Sequence, residues 1–176
     1  RSSSVFTGPC RDAATAAVAG EDYSEVNQTN KSLTGKGLLQ QAAHISPGIV
    51  EVEKLLLDQG DKTMLVEGHP EVCFRAFNDS VFQFNKKTAP GMDERLTALE
   101  SHTEYEPGTW RRLAASLGKS GRDTGADDLL DALSLALTAK APEEELQRLP
   151  PDPPTDANNL PVQMVYRRSE PFKIGR

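Results

Sequence analysis

Basic residues in excess are what this chain most plainly lacks. It has 20 Lys and Arg against 26 Asp and Glu, a net charge of −6. Proteins that hold nucleic acid by neutralising phosphates carry the opposite balance. A high-affinity nucleic-acid scaffold is therefore disfavoured. An enzyme that meets phosphates through metal ions is not, because its own site must be acidic. Cysteine is scarce too. Cys10 and Cys73 lie far apart without CxxC spacing, which excludes a disulfide framework and a zinc site and makes a reducing cytoplasm the default location. Aromatics make up 6% of the chain. The lone tryptophan, Trp110, stands beside Arg111-Arg112 and reads as packing rather than as a base-stacking platform. No apolar run reaches the length of a membrane-spanning helix and no signal peptide opens the chain, so no membrane partner is expected. Without a secretory signal, the patterns at Asn27, Asn30 and Asn78 that resemble glycosylation acceptors are noise.

What is present is an ordinary globular composition, 37% hydrophobic and 26% charged over 176 residues. That length suffices for one domain with a real core. The chain opens at Arg1-Ser2-Ser3 rather than at a methionine and reads as though entered midway. Small residues from Ala13 to Ala19 suggest a short helix, and 21–30 one or two helical turns with Tyr23 and Val26 inward. Leu38, Ala42 and Ile45 form a helical stripe. Ser46 caps the next helix with Pro47 at its first position, and Gly60 ends it. Pro70 starts a helix through Phe77, followed by helices over Met92–Ser101, Trp110–Leu117 and about Asp127–Lys140. Strands are few: the apolar run Thr63–Val66, a weak alternating pair at Phe82 and Phe84, and a terminal edge strand over Val162–Tyr166. The stretch around 142–158 is acidic and Pro-rich, a surface connection. So few strands against so many helices is odd for a complete α/β fold, since an isolated buried strand needs neighbours.

Two stretches carry chemistry. The first is Glu67-Gly68-His69-Pro70-Glu71, directly behind the Thr63–Val66 run. Ligands in open α/β sheets collect at the carboxyl ends of strands, and ionisable groups placed there need partners. A cation would provide one; so would a hydrogen-bonded turn. The second is Asp127-Asp128-Leu129-Leu130-Asp131-Ala132-Leu133. Ala126, Leu130, Leu133 and Leu137 recur at helical spacing and predict a buried face. Asp127 and Asp128 suit a first turn, but Asp131 lies beyond it. Carboxylates at i, i+3 or i, i+4 repel, so such a helix leaves them in water or neutralises them with a cation.

These motifs, together with Thr34-Gly35-Lys36-Gly37-Leu38, Lys86-Lys87, Gly91 and Arg95-Leu96, occur in the order found in a family of predicted nucleases. The chain resembles that family, domain-of-unknown-function family 429, over nearly its whole length. The family normally places a valine where this chain has Gly68. The resemblance implies an α/β, ribonuclease H-like fold with a central mixed sheet flanked by helices. Here the chain would be helix-rich because the N-terminal strands, which would carry further Asp residues, are missing. Residues 1–176 would be a single domain, the C-terminal portion of that fold. Such a fragment is expected to be unstable alone.

The implied function is divalent-metal-dependent phosphodiester hydrolysis, a nuclease-type hydrolase using Mg²⁺ or Mn²⁺. Glu67, Asp128 and Asp131 would be metal ligands, and with His69 the catalytic set. Lys86, Lys87 and Arg95 would meet the phosphates. Each has a plainer reading beside it: a salt bridge for Glu67, a solvated face for the aspartates, a turn residue for His69, a helix-start charge for Glu71 and Asp127, a solvated basic loop for the lysines. The substrate would be nucleic acid or a smaller phosphoester, and homo-oligomers stay open. The rival is a non-catalytic ribonuclease H-like interaction module with an acidic ligand-binding cleft.

Overall fold

The structure, a computed structural model, describes residues 8–61, 65–78, 80–118 and 123–172. It divides into two compact units, Arg1–Leu65 and Val66–Arg176. Among the described residues there are eight α-helices and one small antiparallel sheet of two strands.

The first unit is helical: α1 (Arg11–Val18), α2 (Tyr23–Thr34), α3 (Gln40–His44) and α4 (Ser46–Gln59). Helix α2 starts on a reciprocal capping box, with the Asp22 side chain accepting from Glu25 N–H and the Glu25 carboxylate accepting from Asp22 N–H. It stops at Gly35, whose φ of 73° suits glycine. The small core is Ala13, Val26, Leu38, Ala42 and Ala43. Buried Asn30 ties it together, accepting from Cys10 N–H and donating to the Lys36 carbonyl. Three sequence expectations need correction. Tyr23 is exposed, its hydroxyl donating to the Leu38 carbonyl at 2.6 Å. Ile45 is exposed rather than part of the α3 stripe, because the helix ends one residue before it. Ser46 is the first residue of α4, not its cap, with Ile45 in the cap position.

The second unit contains α5 (Pro70–Phe77), α6 (Ala89–Glu100), α7 (Thr109–Leu117), α8 (Ala126–Ala139), a 3-10 turn at Glu143–Glu145, and strands β1 (Leu146–Leu149) and β2 (Met164–Arg167). Its core joins Phe74 of α5, Ala98 and Leu99 of α6, Tyr105, and Leu130, Leu133 and Leu137 of α8, with Trp110 packed against it. The three leucines behave as their spacing predicts. Ala126 does not: it begins the helix and is exposed, a turn short of the core. β1 pairs with β2 antiparallel, Leu146 opposite Arg167. It lies inside the stretch read as a connection.

The 63–66 strand falls partly outside the described residues. Leu65 and Val66 are exposed and form no strand. The extended partner of β2 on this side is the next few residues instead. Gly68 makes a parallel bridge with Val165, and Val165 N–H donates to the Glu67 carbonyl at 2.8 Å. The alternation at Phe82 and Phe84 yields no strand either. The Glu94 carboxylate of α6 takes the N–H groups of Gln83 and Phe84 at 3.0 and 3.1 Å, removing the donors a ladder would use. Phe82 packs toward the core while Phe84 is exposed. Both cysteines are free thiols. No helix among the described residues is long and apolar enough to cross a membrane.

Candidate functional site

α8 is amphipathic in an unusual way. Leu130, Leu133 and Leu137 enter the core. The neighbouring stripe, Asp127, Asp131, Ser134 and Thr138, is polar at i, i+4, i+7 and i+11. It is not a solvent face. Ser134 and Thr138 are buried and back-bonded to the carbonyls of Asp131 and Ser134 at 2.8 and 2.9 Å. Asp131 therefore heads a polar stripe that runs into the interior, and only 21% of its side chain is exposed. The solvated-face reading fails for this residue.

A cation neutralises it, and the chain supplies that cation. The Lys86 ammonium donates to Asp131 Oδ2 and lies 3.8 Å from Asp127 Oδ2. The turn that presents Lys86 is tightly built. Asn85 C=O accepts from Thr88 N–H and from its hydroxyl, at 2.9 and 2.7 Å, and Asn85 Oδ1 accepts from Lys87 N–H. The turn sits against Gly91 of α6, where any Cβ would lie 2.0 Å from Asn85 O. Only glycine allows that approach, which explains why the motif carries one.

The other oxygen of Asp131, Oδ1, is buried without a hydrogen-bond partner. Burial is the largest influence on this carboxyl and pushes its pKa upward. Lys86 opposes the shift, while the negative charges of Glu71 and Asp127 reinforce it. Glu71, in the first turn of α5, is gripped by Arg95 of α6: both Glu71 oxygens accept from Arg95 Nη2, at 3.0 and 2.9 Å. Arg95 also donates to Gly91 C=O and stands over the rings of Phe74 and Phe82. It is 4% exposed. Expected at a phosphate, it is instead spent on Glu71 and on the core.

The remaining sequence candidates divide. Asp128 is exposed and caps α8, its Oδ2 accepting from Gly125 N–H at 2.8 Å. Lys87 is exposed on the same turn as Lys86. His69 is the N-cap residue of α5, and its carbonyl accepts from Val72 and Cys73 N–H. The Glu67 side chain is exposed. Gly68 beside it presses on α8: a Cβ there would lie 2.8 Å from Leu135 Cδ2, one turn beyond Asp131. The Glu67–Glu71 motif and the Asp helix thus meet in one unit, through Gly68 on Leu135 and through the charge of Glu71 on Asp131. Sequence reading undervalued Glu71, whose partner is 24 residues away and leaves no periodic signal.

Among the described residues, no group of three or more His, Cys, Asp or Glu side chains converges as a metal cage. A magnesium ion commonly uses only one or two carboxylates, with waters and phosphate oxygens completing its shell. Asp127 and Asp131 already flank one cation, and Asp131 Oδ1 is an unfilled hard donor. That donor set fits a magnesium-type ion held by few protein ligands.

A family model described as "Protein of unknown function (DUF429)" matches residues 1–155. No curated protein and no solved structure matches the chain.

Proposed function

This chain belongs to the DUF429 family, and from that premise we propose that its second unit carries a divalent-cation-dependent phosphodiester hydrolase site, of nuclease type and built on a ribonuclease H-like frame. The observation that carries the reading is Asp131: a half-buried carboxylate, desolvated, beside two further acids, with one oxygen on Lys86 and one on nothing. A buried unpaired carboxylate oxygen costs stability and persists where function needs it.

Asp131 and Asp127 would hold the ion, and Glu67, on the neighbouring extended segment, would approach it from the side of β2. When bound, Mg²⁺ or Mn²⁺ supplies Lewis-acid activation of water and neutralises charge on the phosphate. The chain's own groups do the rest. Arg95 fixes Glu71, which keeps a negative potential at Asp131. Lys86, displaced from Asp131, becomes a positive group on a rigid turn at the rim, placed for a phosphate oxygen with Lys87 beside it. Asp128 contributes charge at the helix start while its Oδ2 stays in the cap.

The rival reading, a non-catalytic module that binds a cationic partner group through these acids, is favoured by one fact: the Lys86 ammonium already sits at Asp131 and Asp127. Calorimetric titration of Mn²⁺, with hydrolysis of bis-p-nitrophenyl phosphate as the rate readout, separates the two. The hydrolase reading expects Asp131→Asn and Glu67→Gln each to weaken Mn²⁺ by about tenfold or more and to abolish turnover while the fold survives. Unchanged Mn²⁺ affinity in both variants, with no turnover in the parent, leaves the module.

A further inference from the structure

A second site lies in the same unit, at the far end of the α5–α6 pair. These helices run side by side in the same direction, since Glu71 pairs with Arg95 near one end and Phe77 packs on His102 at the other. There a cleft of 390 Å³ opens, lined among others by Phe77, His102, Glu104, Glu145 and Arg167.

Arg167, the last residue of β2, is its wall. It is 7% exposed. Nε donates to Glu145 Oε2 at 2.6 Å and Nη2 to Glu104 Oε1 at 2.7 Å, yet Nη1 is buried with no partner. Across from it His102 lies edge-on to Phe77, ring centroids 4.3 Å apart, and its Nε2 is also buried without a partner. Burial, aided by the charge of Arg167, pushes the His102 pKa down and keeps the imidazole neutral. Two orphaned polar groups in one wall are a stored cost that a ligand can relieve.

The chemistry of the wall selects the ligand. Arg167 and Arg168 balance Glu104 and Glu145, so the cleft offers no net attraction to an ion of either sign. A phosphate would meet two carboxylates and an ammonium two guanidinium groups. A hydroxyl suits all of them. It accepts from a guanidinium N–H, and it donates to a neutral imidazole nitrogen or to a carboxylate oxygen not occupied by Arg167. Two adjacent hydroxyls on one small ring offer an acceptor for the guanidinium and a donor for the imidazole, and Phe77 supplies an apolar wall for the ring's C–H edge. The volume suits a single small ring system. We propose that this cleft binds an uncharged vicinal diol, carried by a free sugar or by the ribose of a nucleoside, with Arg167, His102, Glu104 and Glu145 as its hydrogen-bonding partners. Because Nη1 and Nε2 are closed off from water, seating the diol requires the side chains of His102 and Arg167 to shift toward the cleft. The inference stands independently of the hydrolase reading.

The test uses the whole chain and four probes, D-ribose, D-glucose, uridine and 2′-deoxyuridine, titrated while amide shifts are followed by NMR. Saturation near the millimolar range is expected for at least one diol probe, with dissociation constants of roughly 1 mM. The shifts should centre on residues 101–104 and 167–169. Uridine binding with deoxyuridine at least tenfold weaker identifies ribose as the source; ribose and glucose binding together identifies free sugars. Ser169→Trp, at the exposed mouth, should block binding without touching Arg167, and His102→Phe should weaken it while keeping the packing on Phe77. Failure of all four probes to saturate, equal binding of uridine and deoxyuridine with no binding of the sugars, or unchanged binding in Ser169→Trp would overturn the proposal.

Discussion

At the scale of single residues, Gly68 decides how closely the Glu67 motif approaches α8. A Cβ at Gly68 would stand 2.8 Å from Leu135 Cδ2. Here the glycine and the leucine fit as a pair. Gly68→Val should cost about 1–3 kcal/mol through overpacking, read as a lowered urea midpoint, and adding Leu135→Ala should recover part of the loss. Equal losses in the single and double variants would show that the contact does not limit the approach. The glycine's presence was legible in the sequence, but its reason was not, because Leu135 comes from an element 67 positions along that only the fold brings near. The same holds for Lys86 and Asp131, 45 residues apart. The spacing of the aspartates left water or a cation as their neutraliser, and nothing local announced that a lysine would be that cation.

At the scale of elements, helices were legible and strands only in part: the edge strand expected over Val162–Tyr166 forms as β2, shifted to Met164–Arg167. Pro70 starts α5 and Gly60 and Gly118 follow the ends of α4 and α7, as their chemistry predicts. Helix signals are local: period, cap and terminator all lie within one segment. β1 shows no alternation of apolar residues and sits among prolines, so its existence depends on β2 finding it. The Phe82–Phe84 alternation was a false strand because Glu94 claims the backbone donors. α8 is the element on which the second unit turns, carrying three core leucines and, beside them, the Asp131 stripe. Leu130 is fully buried. Leu130→Ala should cost about 2–5 kcal/mol in chemical denaturation. Ala126→Ser, at the exposed start of the same helix, should change stability by less than about 0.5 kcal/mol. A comparable loss at both positions would mean that the helix is packed in a different phase.

For the whole molecule, the acidic balance and the ordinary hydrophobic fraction were read from composition alone. The α/β expectation holds in its coarse form, as a helix-rich chain with a small antiparallel sheet. The division at Leu65 had no compositional mark. Behaviour in acid follows from groups around Arg167. The Glu104 carboxyl is held down to about 2, first by its hydrogen bond to Arg167. Its folded value is below the ordinary 4.5 of a glutamate, so its contribution is present above that pH and is lost as the pH falls toward 2. His102, depressed by burial, likewise favours the folded state above the ordinary histidine value of 6.5 and penalises it below, where the unfolded chain takes up the proton more readily. Melting temperature should therefore fall in two stages on acidification, the first beginning below about pH 6.5. His102→Phe should remove the first stage and Glu104→Gln the second. A profile unaltered by either substitution would place the acid sensitivity elsewhere.

The hydrogen bond from Val165 to the Glu67 carbonyl also bears on the order in which the chain is made. β2 follows all the helices of the unit in sequence, and the Cys73–Val165 contact it makes with α5 spans 92 residues. Contacts of such separation form slowly, since a long loop must close before they give any return. On a ribosome, Glu67 and Asp131 both emerge well before the strand that braces the first of them. The nascent chain can wind its helices early, but it cannot finish the surroundings of Glu67 until β2 has been added. Termination before β2 would therefore release a helical product in which the surroundings of Glu67 are unassembled.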